Sequence, residues 1–405
     1  MRYVFLINRS IFALGKMMNK KIKLGFVKFG GMAAGGTEKF LQNIAMNLPS
    51  DKFEVTYFYC DAASYVGSDW KHPDTDENRL RLMEDSTVIL KKFNVAAKNV
   101  TVPTHDWLET DFFDHFDESE YDIVVSGRAG HPEYPFTQIR STPIVDTIHL
   151  TGLVDKQENI AAVVHVSEWN KQAWVKAGGN EQLAEVIYLP IVLPTELPEM
   201  DFRSDLGLEG KFIFGMHQRP DDGIYSHIPL AAYMQIQTDN TAFVLLGGSQ
   251  KYNQQAELLG LKNFHQLEPT GDMGKVCRFL EALDVYTHGR ADGENNSQSI
   301  AEAMSFGKPI VSHLARANGH VETIGNAGIV VNSVEDYAEQ MKNLMIDEDY
   351  RTSKGSNALR RFETSYNLET NIQRFTELFE RVYSKSRTFV ADDVWLNEWM
   401  DEKDG

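Results

Sequence analysis

The sequence predicts an α/β protein built from two Rossmann-like, doubly wound domains in succession. Three observations predict it. Short β-branched or aromatic runs alternate with longer amphipathic ones along most of the 405 residues. The alternation stops at a proline-punctuated stretch and then starts again. A hydrophobic content of 42% over this length fills large cores, and the length itself favours two or more domains.

The elements follow in order. Strands are expected at residues 23–28, 54–59, 123–126, 144–147, 163–166 and 186–189. A second series is expected at 212–216, 243–247, 263–266, 285–288, 309–312 and 328–331. Between the first two strands, residues 38–48 place Phe40, Leu41, Ile44, Ala45 and Leu48 on one helical face. Such alternation implies parallel strands joined by helical crossovers. The break falls near 190–210, where Pro190, Pro194 and Pro198 lead into the polar "EMDFRSDLGLEGK". After about residue 350 the pattern is helical, and Phe375, Leu378, Phe379 and Val382 share a face. The expected division is an N-terminal extension over 1–20, a first domain over 21–195, a second over 196–370, and a helix with tail over 371–405. In the acidic tail, Trp395 and Trp399 stand at i and i+4, as in a terminal helix or arm that packs its rings on a domain surface, the alternative being a partner-docking motif.

Charge and cysteine content exclude several classes. A formal net charge of −18 and a pI near 5.1 argue against nucleic-acid binding and against electrostatic docking on anionic lipid. Cys60 and Cys277 fit neither a metal spacing nor a disulfide framework, which suits a reducing compartment. Asn8 and Arg9 break the apolar runs of the first sixteen residues, so a secretory leader is not expected. No run approaches the ~20 apolar residues a bilayer span needs. The expectation is a cytoplasmic protein with no membrane span.

The chemistry concentrates in "VYTHGRADGENNSQSIAEAMSFGKPIV", where Glu294 and Glu302 flank the start of a helix. Ser297 is the expected N-cap, and Ile300, Ala303 and Met304 give a core stripe for a helix over 298–306. Gly307 fits the C′ position and Pro309 enters the next strand. A helix that starts just after a strand directs its free N–H groups into the crevice at the sheet's carboxyl edge, where they favour an anion such as a diphosphate. Glu294 would accept hydrogen bonds from hydroxyls at one end of the ligand, and Glu302 suits ribose hydroxyls. Spacing alone equally fits two solvated glutamates around an ordinary strand–loop–helix. Gly30, Gly31, Gly35 and Gly36 allow close backbone approach before the first helix, yet form neither a P-loop nor a dinucleotide fingerprint.

The stretch "ALDVYTHGRADGENNSQSIAEAMSFGKPIV" resembles the Glu-x7-Glu segment of glycosyltransferase family 4, a group of retaining GT-B enzymes. Further segments fall in the family's order: "GGMAAGGTEKFLQNIA", "TPIVDTIH", "VVHVSEWNKQAWVKAGG", "AEVIYLPIVLP", "FVLLGGS" and "LLGLKNFHQLEPT". The resemblance covers residues 22–384 and implies a GT-B fold, with the two domains facing across a cleft and the C-terminal helix crossing back to the first. It implies transfer of a sugar, with retention, from a UDP- or GDP-sugar on the second domain to a saccharide or other hydroxyl acceptor on the first. Neither metal nor other cofactor is implied. A front-face route, in which the departing phosphate takes the acceptor's proton, fits the lack of an obvious carboxylate nucleophile.

Site roles are likewise implied by resemblance. His149, Arg219 and Glu294 take the catalytic positions. Gly35, Gly36, Asn296, Ser297, Gln298, Glu302 and Glu268 take donor-binding ones, with Glu268 near the nucleotide base. His165 and Ser167 are read as structural or near the hinge. Two departures stand out. The lysine that family members carry five residues after the arginine is Ile224 here, and the aromatic–glycine pair after the first glutamate is Asn296-Ser297. The amides of that pair remain available for an anion, and His217, Arg290 or Lys308 are candidates for the missing charge. The alternative reading is a non-catalytic nucleotide-sugar-binding or scaffold protein of the same fold.

Overall fold

A computed structural model describes residues 20–28, 32, 36–60, 73–94, 110–128, 130 and 132–401, the side chains of 73–78 and 387–401 excepted. The expected extension before residue 20, Gly30, Gly31, Gly35 and the rings of Trp395 and Trp399 lie outside the described residues.

The first sheet has seven parallel strands: β1 (Ile22–Lys28), β2 (Phe53–Tyr59), β3 (Ile89–Lys92), β4 (Ile123–Ser126), β5 (Ile144–Ile148), β6 (Ile160–His165) and β7 (Ala184–Val186). Their order is β3-β2-β1-β4-β5-β6-β7. The chain then forms β8 (Phe212–Gln218), β9 (Thr241–Gly247), β10 (Phe264–Leu267), β11 (Val285–Thr287), β12 (Gly293–Glu294), β13 (Ile310–His313), β14 (Ala317–Asn318) and β15 (Gly328–Val331). Six of these make a second parallel sheet, ordered β10-β9-β8-β11-β13-β15, while β12 and β14 pair by themselves. Central strands are buried on both faces and so read as unbroken apolar runs, as in the fully buried "TAFVLLG" of β9. In each sheet the order reverses beside the first strand, between β1 and β4 and between β8 and β11. These are the switch points where a crevice opens at the carboxyl edge.

Two strand expectations change. β3 was not expected: "ILKK" is a short, partly exposed edge strand with no periodicity strong enough to announce it. β7 ends at Val186 instead of running over 186–189. The apolar residues beyond it, Ile187, Leu189 and Ile191, are buried, but Ile191 N–H donates to Tyr366 O at 3.0 Å. Their hydrophobicity packs the exit from the first sheet instead of extending it.

Six helices position the site and join the domains: α1 (Gly36–Asn47), α2 (Glu168–Lys176), α3 (Gln298–Ser305), α4 (Gly319–Ile324), α5 (Glu348–Arg361) and α6 (Leu368–Asp401). The apolar face expected of α1 is buried in full. Helix α6 follows the second sheet in sequence and lies on the first. Phe375 meets Phe40 edge-on at 5.7 Å, and Phe379 meets Phe26 and Phe53 at 6.2 and 6.0 Å. Lys52 pairs with Glu380 at 2.8 Å at the rim of that contact. No helix among the described residues is long and apolar enough to cross a membrane.

Candidate active site

Helix α3 forms where its capping signals put it. Ser297 is extended, and its Oγ accepts from the Ile300 amide at 3.4 Å. Ile300, Ala303 and Met304 are fully buried, and Gly307 ends the helix at φ +61°. Just upstream, Gly293 has φ +75°, and a Cβ there would lie 1.8 Å from Ala317 O. Only glycine permits this close pairing of β12 with β14, which carries Glu294 to the mouth of β11.

Each glutamate meets an imidazole from a strand end. His288 follows β11 and is buried. Its Nε2 lies 2.9 Å from Glu294 Oε2 and its Nδ1 2.9 Å from Ser312 Oγ. Arg290 approaches the other carboxylate oxygen at 3.3 Å and also pairs with Asp292 at 2.7 Å. Burial pushes the Glu294 carboxyl up, but His288, Arg290 and Ser297 together outweigh it and hold the carboxyl at about 2. His217, near the end of β8, places Nε2 2.7 Å from Glu302 Oε2, while Gln298 Nε2 donates to Oε1 at 2.8 Å. Burial again opposes ionisation of Glu302. His217, the nearby Lys39 charge and Gln298 prevail and lower its carboxyl.

The first domain closes over this edge. An added Cβ at Gly36, the first residue of α1, would sit 3.4 Å from Gln298 Oε1, so the starts of α1 and α3 approach each other. His149 directly follows β5 with its ring edge-on to Phe40 at 4.8 Å. Its Nε2 is buried with no hydrogen-bond partner among the described residues. Burial, helped by the Lys28 charge, pushes this imidazole down to about 3, so it is neutral near pH 7. Lys28 itself pairs with Glu38 at 3.1 Å.

Side chains between the domains fix their approach. Asn295 Nδ2 donates to His149 O, Asn296 Nδ2 to Val166 O, and Ser167 Oγ to Asn295 O. Glu322, on α4, accepts from the Glu168 and Trp169 amides at 2.9 Å each and from Tyr188 Oη at 2.7 Å. A carboxylate of the second domain thus caps α2 of the first.

The other expected positions divide. Gln298 and Gly36 come together with Glu302, and His149 sits on the facing domain. Arg219 follows β8, is half exposed and pairs with Asp221 at 3.0 Å. Glu268 is exposed beyond the end of edge strand β10. The amide of Ser297 is not available for an anion as expected, because it donates to Thr323 Oγ1 at 3.3 Å. Lys308 is no candidate for diphosphate charge: its Nζ is held by Leu283 O at 2.6 Å and Glu281 O at 3.1 Å, just before β11, at the opposite edge of the sheet. Ile224 is buried and brings no cation. His288, Lys39 and Glu322 were not singled out from sequence. For His288 a signal was present, a histidine at the carboxyl end of a switch-point strand.

Two Rossmann-like domains with the carboxyl edges of their sheets turned to a shared gap define the GT-B class, and solved structures agree. Anabaena HepE, in complex with UDP-glucose, superposes with a TM-score of 0.67 at 20% identity over 89% of this chain and 100% of that one. Sucrose-phosphate synthase of Thermosynechococcus elongatus gives 0.68 at 14% identity over 90% and 100%. Residues 207–361, within the second domain, match the family model of the glycosyl transferases group 1. An uncharacterized glycosyltransferase of Methanocaldococcus jannaschii is 27% identical over 113 residues, 27% of this chain and 29% of that relative's length.

Proposed function

We propose that the protein is a glycosyltransferase that moves a sugar from a nucleotide sugar to an acceptor hydroxyl, with retention of configuration and without a required metal. The observation that carries this reading is the pair of carboxylates, Glu294 just before α3 and Glu302 inside it, beside a helix start whose Gln298 faces α1 across the gap. The second domain holds the donor, with Glu302 towards the ribose and Glu294 towards the transferred sugar. Arg219, at the mouth of β8, lies on the diphosphate side. Neutral His149 hydrogen-bonds a sugar hydroxyl from the first domain. The C1–O bond to the diphosphate breaks, the acceptor oxygen bonds to C1 on the same face, and the acceptor's proton leaves with the phosphate. A UDP-sugar is favoured over a GDP-sugar by the UDP-glucose complex of HepE, which shares this fold.

The test starts with a thermal-shift panel of UDP- and GDP-sugars. A ligand at ~100 times its dissociation constant stabilises the fold by roughly 2.7 kcal/mol, enough to rank donors. The best donor is then incubated with an acceptor panel, with and without EDTA, and the product anomer is read by NMR. Inverted product, or activity abolished by EDTA and restored by a divalent cation, overturns those parts of the proposal. A second reading, a binding protein without turnover, draws on the carboxylates' existing partners and on Ile224. Donor binding with neither transfer nor donor hydrolysis favours it.

A further inference from the structure

Positive charge around the gap is mostly spoken for. Arg219 pairs with Asp221, Arg290 with Asp292 and Glu294, and Lys28 with Glu38. Lys39 differs. It lies in the first turn of α1, three residues after Gly36, so the two share a helical face. Gly36 abuts Gln298, which is hydrogen-bonded to Glu302, and the Lys39 charge accordingly acts on Glu302. The lysine is half-buried, yet its ammonium makes no hydrogen bond or ion pair with any described residue. Burial lowers its proton affinity, Glu302 raises it, and Arg79 lowers it further. A cation is also disfavoured in the first turn of a helix, where the backbone dipole is positive. Burial, lack of direct partners and an opposing dipole together leave this ammonium short of an anion.

We propose that Lys39 is a phosphate-binding residue supplied across the gap by the first domain, its ammonium contacting the diphosphate of a nucleotide sugar seated at α3. The inference rests on the reading given under Proposed function and adds to it a residue from the opposite domain. Lys39 transfers no proton. Its charge stabilises the diphosphate as the sugar's C1–O bond breaks. Because the cation sits on one domain and the donor on the other, the domains must be close for it to act. Water is then excluded when the leaving group is most stabilised.

The experiment is calorimetric titration of the full chain with UDP, GDP, uridine and guanosine, for wild type, Lys39→Met and Lys39→Arg. The nucleoside diphosphate that binds the wild type should bind Lys39→Met about tenfold or more weakly, the scale of one lost charge-assisted hydrogen bond. Lys39→Arg should bind close to wild type, and the matching nucleoside should bind all three alike. Melting curves check that the variants fold. Equal diphosphate affinity in Lys39→Met overturns the assignment, as does equal weakening of diphosphate and nucleoside. If the wild type binds neither diphosphate, the reading of the site itself falls, and this inference with it. A wild type that binds UDP or GDP while Lys39→Met binds equally well removes Lys39 alone.

Discussion

His217 Nε2 stands 2.7 Å from Glu302 Oε2, joining the end of the second domain's first strand to the inside of helix α3. The relation recurs between His288 and Glu294 at 2.9 Å. Neither glutamate is a free solvated carboxylate. Glu302 is buried and Glu294 partly so, and each is hydrogen-bonded to an imidazole and oriented by a strand end at the sheet's switch point. Buried charge is costly unless paired, so these contacts let carboxylates persist beside a helix start that itself favours negative charge.

His288→Ala should raise the Glu294 carboxyl from about 2 towards its ordinary range. A depressed carboxyl contributes stability above its unfolded value, and that contribution is lost as pH falls through the folded value. In the wild type the loss therefore falls between about pH 4.5 and 2. In His288→Ala much of the contribution is missing already at neutral pH. Urea unfolding as a function of pH checks this, and parallel curves for the two proteins would contradict it.

Acidification acts on His149 with a different window. Its folded imidazole lies at about 3, below the unfolded value of 6.5. Above pH ~6.5 neither state binds a proton, and below it only the unfolded state does, so stability is lost as pH falls towards 3. His149→Asn should lose less stability than wild type between pH ~7 and ~4.5. Denaturant midpoints at the two pH values give the answer.

Glu322→Ala removes three acceptor contacts that cross from α4 to α2 and Tyr188. Loss of a helix cap costs about 1–2 kcal/mol, and here it also loosens the domain approach. The variant should unfold at lower urea concentration and show a larger radius of gyration by small-angle scattering. An unchanged radius would mean that the asparagine contacts suffice.

Ser297→Ala should cost about 1 kcal/mol through the lost cap, and Met304→Ala about 2–5 kcal/mol through a cavity in a fully buried position. Chemical denaturation measures both. A larger cost for the serine would show that its hydroxyl's hydrogen bonds to Ser299 and to the Glu294 carboxylate matter as well as the cap.

Arg219→Ala should leave stability within about 0.5 kcal/mol, since the side chain is half exposed at the surface. Under the proposed function it lowers transfer markedly. A stable variant with undiminished transfer would remove Arg219 from the site.

Local chemistry in the sequence determined much of this protein. Alternating apolar runs specified two parallel sheets, because a strand buried on both faces must be apolar throughout and a parallel partner needs a helical crossover. Helix α3 was legible within a residue at its end, since Ser297, the Ile300–Ala303–Met304 stripe and Gly307 act over one or two turns. The edge strand β3 was not legible, because an exposed strand carries little pattern. Tertiary structure alone decided that Glu294 and Glu302 face His288 and His217, that Lys308 is tied to the far edge of the sheet, that the Lys39 charge acts on Glu302, and that Glu322 reaches across the domain gap. Those relations arise when segments distant in sequence are brought within a few ångströms by packed sheets. Spacing along a chain encodes which face a side chain takes, but not what lies opposite that face.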